Sequence, residues 1–269
     1  MPDKAFYENV TIITGASEGI GRELALQLAD KGAWLALAAR DASKLEDVAA
    51  QCIKRGARAI VVPTDVTQQS QCEQLIERTV SEYERIDTLI NNAGLSMYSR
   101  FDELQDLTIL ERIMQVNYLG IVYCTFYALP YLKKTKGRIV GMCSLLGKAG
   151  APTRIGYAAS KHAAVGFYDS LRIECSGDEV TVTVICPDFV STGIRERSLG
   201  ADAKPLGTST LNEARIMTVE KCVELTIKAI IQRKRELIMS MRGKVGLWLK
   251  LIAPKLVDNI ARNAIEKGR

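Results

Sequence analysis

One histidine in 269 residues leaves too little imidazole for a His-based metal site, and no metal is expected. The seven cysteines, at positions 52, 72, 124, 143, 175, 186 and 222, are odd in number, widely spaced and without a CxxC pair. That pattern argues against a disulfide framework and suits a reducing, cytoplasmic compartment. No run reaches the roughly 18 uninterrupted apolar residues of a membrane-spanning helix. Met1–Lys4 lacks the basic and apolar regions of a secretory signal. Proline is scarce, at 7 residues, and neither a repeat nor a low-complexity linker interrupts the chain, which excludes collagen-like and disordered architectures. What is present, 47% hydrophobic and 25% charged residues, is ordinary for a globular chain, and the length suits one α/β domain over residues 1–269.

The net charge of +5 is unevenly placed. From Arg242 to Arg269 seven Lys and Arg face only Asp258 and Glu266, so this segment carries the whole excess. Upstream, short β-branched runs alternate with stretches of helical spacing, the pattern of βα units on a doubly wound parallel sheet, a Rossmann fold with helices on both faces. Strands are expected at Val10–Thr14, Trp34–Ala39, Ala59–Pro63, Thr88–Asn91, Arg138–Cys143 and Val180–Cys186, with a first helix over Gly21–Lys31. Residues 191–220, with Gly193, Gly200, Pro205 and Gly207 among polar residues, read as a long loop of the kind that closes over substrates.

The first strand ends in Thr14-Gly15-Ala16-Ser17-Glu18-Gly19-Ile20-Gly21 and runs into a helix. Glycines there let the backbone approach a pyrophosphate, and the helix start offers free N–H groups and positive dipole. At this point the chain resembles the short-chain dehydrogenase/reductase family, whose signature is TGxxxGxG. Asp65-Val66 after the third strand, Asn91-Asn92-Ala93-Gly94 after the fourth, and Asn117, Ser144, Tyr157 and Lys161 match the family in order, with YxxxK intact. The resemblance covers about residues 8 to 195. It implies that Gly15, Ser17, Glu18, Gly19, Ile20 and Gly21 hold the cofactor together with Asp65, Val66, Asn92, Ala93 and Gly94. Asp65 would lie near the adenine ring.

Hydride exchange between a nicotinamide and an alcohol or carbonyl compound needs a group that moves a proton on oxygen. A phenol can be that group when a cation stabilises its phenolate. Lys161 stands one helical turn after Tyr157 on the same face, placed for that task and for the nicotinamide ribose. The resemblance implies that Ser144 hydrogen-bonds the substrate oxygen and that Asn117 holds a water linking Lys161 to solvent. His162 falls on another helix face and is expected to be structural.

Cofactor choice is set at the end of the second strand, where an acidic residue accepts from a free 2′-hydroxyl and an Arg attracts a 2′-phosphate. Arg40 occupies that place and favours NADP(H), with Asp41 and Glu18 as competing charges. After the sixth strand the family commonly has Pro-Gly; here Asp188 follows Pro187. Pro187, Val190 and Thr192 are expected at the nicotinamide, while Asp188 either affects cofactor geometry or faces solvent. Leu145, Leu146, Ala151, Ile155 and the 191–220 loop would wall an apolar substrate site.

The segment 242–269 combines Trp248, leucines and isoleucines with spaced lysines. That composition suits a helix in a membrane interface, an oligomer contact or a helix folded on its own domain. No nucleic-acid motif accompanies the charge. The reading is an NADP-dependent oxidoreductase acting on a small-molecule alcohol or carbonyl compound, against the alternative of a non-catalytic dinucleotide-binding sensor or scaffold. The resemblance further implies a homodimer or homotetramer, built on residues 104–115 and 157–170, and peripheral membrane contact remains open.

Overall fold

The computed structural model describes residues 5–194, 196–207 and 216–266. Among them seven parallel strands, β1 (Val10–Thr14), β2 (Trp34–Ala39), β3 (Arg58–Pro63), β4 (Thr88–Asn91), β5 (Arg138–Met142), β6 (Thr181–Cys186) and β7 (Glu236–Ile238), form one sheet ordered β3-β2-β1-β4-β5-β6-β7. Successive side chains of a strand point to opposite faces. Ile12, Ala36, Ile139 and Val184 accordingly meet α3 (Gln69–Tyr83), α5 (Gly120–Thr135) and α6 (Ile155–Glu174) on one side. Ile13, Leu35, Leu37 and Val140 meet α1 (Gly19–Ala29), α2 (Ala42–Lys54) and α7 (Val219–Ile231) on the other. Burial on both faces is why these strands read as apolar runs rather than as alternating patterns.

One close approach on the α6 side depends on a missing side chain. A Cβ at Gly141 in β5 would fall 2.5 Å from Tyr168 Cζ, and Tyr168 is fully buried in α6. Gly141→Ala is therefore expected to lower unfolding free energy by about 1–3 kcal/mol. A urea midpoint equal to that of the unmodified chain would refute this packing.

The first helix starts at Gly19, two residues before its expected position, and ends at Ala29. A long helical stretch runs through α4 (Thr108–Met114), a π turn at Gln115–Leu119 and α5. The C-terminal segment forms α8 (Met241–Ile252) and α9 (Pro254–Glu266). Residue 195 and residues 208–215 of the expected substrate loop, and residues 267–269 of the extension, lie outside the described residues.

The strand order reverses between β1 and β4: the chain steps outward through β2 and β3, then returns to the other side of β1. Such a reversal splays the loops at the carboxyl ends of the two central strands and opens a crevice between them. Those ends carry Gly15 and Asn92.

Candidate active site

The two loops of the crevice are keyed together. Thr14 Oγ1 accepts from the backbone N–H of Asn92 at 2.9 Å and of Ala93 at 3.1 Å. Asn92 Nδ2 donates to the carbonyls of Thr14 at 2.9 Å and Gly15 at 3.1 Å. Gly15 and Gly19 have φ of +65° and +56°, a region that favours glycine. A Cβ on Gly21 would sit 2.5 Å from Asn92 Nδ2. Ser17 and Ile20 are half-buried in the same turn. The turn thus leads into the N-terminus of α1 through glycines that bring no side chain of their own, a cradle that fits a pyrophosphate.

Tyr157 and Lys161 stand one turn apart near the start of α6. Lys161 is buried, its Nζ donating to the Met142 carbonyl at 2.9 Å and lying 5.8 Å from the centroid of the Tyr157 ring. An ammonium carries three hydrogens, so two remain for other acceptors. A Cβ on Gly94 would come 3.7 Å from Lys161 Nζ and 3.5 Å from Asn117 Oδ1, so the fourth-strand loop, Lys161 and Asn117 border one space. Ser144 closes β5, and its Oγ accepts from Leu146 N at 3.2 Å. Among the described residues its hydroxyl hydrogen has no acceptor and is free to donate. Burial pushes the neighbouring Cys143 thiol up to about 11 against the pull of Lys161, so that thiol stays neutral.

Asn117 is fixed through its side-chain amide. Its Oδ1 accepts from Leu95 N at 2.7 Å, while Nδ2 donates to the Leu95 carbonyl at 2.8 Å and to Ser160 Oγ at 2.9 Å. Both amide hydrogens are committed, so only acceptor capacity is left for a water. His162 is exposed, with Nδ1 2.8 Å from the Ala158 carbonyl, a local helix contact.

At the end of β2, Arg40 is exposed and has no carboxylate partner among the described residues. Asp41 is occupied as the cap of α2, its Oδ1 accepting from Lys44 N at 3.1 Å. Glu18 faces two cations, Arg197 Nη2 at 2.9 Å and Lys44 Nζ at 3.6 Å. Asp65 closes a local turn, Oδ1 accepting from Thr67 N and Thr67 Oγ1 at 3.0 and 2.9 Å, and Val66 packs under Gly120.

At the other end Thr192 lies across the glycine turn, 3.7 Å from where a Gly19 Cβ would be. Val190 bridges Met217, and the Pro187 carbonyl accepts from Leu145 N at 2.9 Å. Leu199, in the segment after β6, docks on the residues after Gly94: Tyr98 N donates to the Leu199 carbonyl and Leu199 N to that of Ser96, both at 2.9 Å. With α4 these segments bury Met97, Ile109, Ile113 and Leu199 against Tyr157. The expected apolar wall splits. Ala151 and Ile155 line a cavity of 470 Å³ with Phe101 and Pro152, whereas Leu145 faces Gly243 of α8. Sequence reasoning did not find the ties of Arg197 and Lys44 to Glu18, which join residues far apart in the chain without a periodic or motif signal.

A doubly wound sheet whose glycine turn opens on its switch point defines a dinucleotide-binding fold. The short chain dehydrogenase family model matches residues 9–203, and the chain belongs to that family. It is 34% identical over 263 residues to "Dehydrogenase/reductase SDR family protein 7-like" of Dictyostelium discoideum, covering 96% of this chain and 82% of the relative. It is 40% identical over 263 residues to "11-beta-hydroxysteroid dehydrogenase-like 3" of Arabidopsis thaliana, covering 94% and 81%. The alcohol dehydrogenase of the archaeon Thermococcus sibiricus, solved in complex with 5-hydroxy-NADP, superposes with a TM-score of 0.74 at 26% identity, covering 86% of this chain and 95% of that one. The protein is thus an oxidoreductase of a family that binds a nicotinamide dinucleotide and acts on small-molecule alcohols and carbonyl compounds.

Proposed function

We propose that the chain interconverts a secondary alcohol and a carbonyl compound of apolar character, using NADP(H) and Tyr157 as the acid/base. One nucleotide-binding domain would carry the reaction, with 191–220 as the substrate loop and 242–269 as a basic, apolar extension. The observation that carries the reading is the convergence of Tyr157, buried Lys161, Asn117 and Gly94 on one space at the carboxyl end of the sheet.

When bound, the nicotinamide dinucleotide supplies or accepts the hydride. Ser144, with its hydroxyl hydrogen uncommitted, donates to the substrate oxygen. Tyr157 passes its phenolic proton to that oxygen in reduction and takes it back in oxidation. Lys161, anchored on the Met142 carbonyl, stabilises the phenolate and holds the nicotinamide ribose. Gly15, Ser17, Glu18, Gly19, Ile20 and Gly21 carry the pyrophosphate, Asn92, Ala93 and Gly94 line the crevice, and Asp65 and Val66 flank the adenine. Pro187, Val190 and Thr192 take the carboxamide end. NADP(H) is favoured because Arg40 has no carboxylate partner among the described residues, Asp41 is spent on a helix cap and Glu18 is neutralised by Arg197 and Lys44. NADPH-linked reduction of apolar ketones, compared between the unmodified chain and Tyr157→Phe, tests the reading.

The extension supports a second part of the proposal, peripheral contact with an anionic lipid surface. No helix among the described residues is long and apolar enough to cross a membrane. Val245, Trp248, Leu251, Ile252, Leu256 and Ile260 are exposed, Trp248 by 71% and Ile252 by 82%, beside exposed Arg242, Lys244, Lys255 and Arg262. Apolar residues flanked by cations match a headgroup boundary. The full chain is expected to pellet with phosphatidylserine vesicles, and the paired substitution Trp248→Glu, Leu251→Glu to leave it in the supernatant. Equal pelleting of the two proteins would refute the contact.

A further inference from the structure

Asp188, the acidic residue standing where the family commonly has glycine, faces neither the solvent alone nor an empty crevice. Its Oδ2 accepts from Ser240 Oγ at 2.9 Å, and Ser240 Oγ in turn accepts from Gly243 N at 2.9 Å, capping α8. One bond therefore ties the residue after Pro187 to the first turn of the C-terminal helix pair. Several further contacts converge on the same place. A Cβ on Gly243 would come 3.0 Å from Leu145 Cδ1, so α8 begins directly against the residue that follows Ser144. At the far end of α8, Lys250 Nζ donates to the Lys148 carbonyl at 3.0 Å. The Lys148 ammonium itself pairs with Glu236 in β7 at 2.6 Å, and Leu145 N donates to the Pro187 carbonyl at 2.9 Å. The turn 144–148, which begins with Ser144, is thus held at its start by Pro187 and α8 and at its end by Lys250 and β7.

We infer that Asp188 is a positioning residue for the serine turn: by fixing Ser240 it seats the start of α8 against Leu145, and α8 holds the Ser144 hydroxyl in place. The C-terminal helix is then a working part of the site. The inference rests on the proposed role of Ser144. A side-chain oxygen acceptor is needed because glycine offers Ser240 nothing, and an amide oxygen at the same place can replace the carboxylate. A donor displaced by as little as 1 Å loses much of its effect on a reaction, so a loosened turn lowers turnover more than it changes cofactor binding.

The test uses four full-length proteins, unmodified, Asp188→Gly, Asp188→Asn and Ser240→Ala, with Tyr157→Phe as control. The first readout is hydrogen exchange of the peptide spanning residues 144–150, and the second is kcat and KM with NADPH and the apolar ketone that the unmodified chain turns over fastest. Asp188→Gly and Ser240→Ala are expected to speed exchange about five-fold, the scale set by one net hydrogen bond. They should lower kcat about ten-fold with KM for NADPH unchanged. Asp188→Asn should restore both values. Unchanged exchange, unchanged kcat despite faster exchange, or an Asn variant that behaves like Gly would each overturn the inference. Should Tyr157→Phe match the unmodified chain in turnover, the proposed chemistry fails, and the exchange readout alone decides whether Asp188 braces the turn.

Discussion

Tyr157→Phe is expected to lower turnover about a thousand-fold while NADPH binds as tightly as before. The substitution removes one oxygen and its proton and leaves the ring packed against the cluster of Met97, Ile109, Ile113, Leu199 and Ala203. Positioned proton transfer contributes roughly 10²–10⁴-fold to a rate, so loss of the phenol falls in the middle of that range. Lys161 keeps its anchor on the Met142 carbonyl and remains available to the cofactor ribose. Steady-state rates together with a fluorescence titration of NADPH check both halves. Turnover equal to that of the unmodified chain would remove Tyr157 from the chemistry and favour the alternative of a dinucleotide sensor. A parallel loss of NADPH affinity would instead mean that the ring supports the site mechanically.

Arg40→Ala is expected to weaken NADPH about ten- to a hundred-fold and to leave NADH nearly unchanged. Hydrogen bonds to charged groups are worth about 1.5–3 kcal/mol each, and every 1.4 kcal/mol is a factor of ten. In the absence of a carboxylate partner among the described residues, Arg40 gives up no existing ion pair to reach a 2′-phosphate. Glu18 has its charge offset by Arg197 and Lys44 and does not oppose the phosphate. Side-by-side titrations of the two reduced cofactors read the preference directly. Equal or tighter binding of NADH by the unmodified chain would overturn the NADP assignment.

Periodicity located most of the sheet because buried parallel strands announce themselves as apolar runs. Val10–Thr14, Trp34–Ala39 and Thr88–Asn91 fall where they are read, and β3, β5 and β6 differ by one residue at an end. β7 escaped: three residues, all half-buried and preceded by Arg233-Lys234-Arg235, are too few for any period to show. The motif residues were legible because each sits at a strand end or on a helix face fixed by spacing. Ser240, Arg197 and Lys44 were not legible, since what places them is a partner from a distant segment. Asp188 shows the limit most clearly: the sequence marks it as a departure from a pattern, but only the fold shows what its carboxylate meets.

The π turn at Gln115–Leu119 has a consequence for the phase of the helix that contains it. Ile109 and Ile121 are both buried, yet they are twelve positions apart, about three and one-third turns of regular helix at 3.6 residues per turn. Without an added residue they would look out about a third of a revolution apart, one inward and one toward the side. The wider turn absorbs that surplus and returns α5 to the azimuth of α4. Winding the same residues as regular helix, with none removed, would turn either Ile109 and Ile113 or the inner row of α5, from Ile121 to Leu132, about a third of a revolution away from the neighbours it now covers, whereas deleting one residue of the turn would leave the two rows within about 20° of each other.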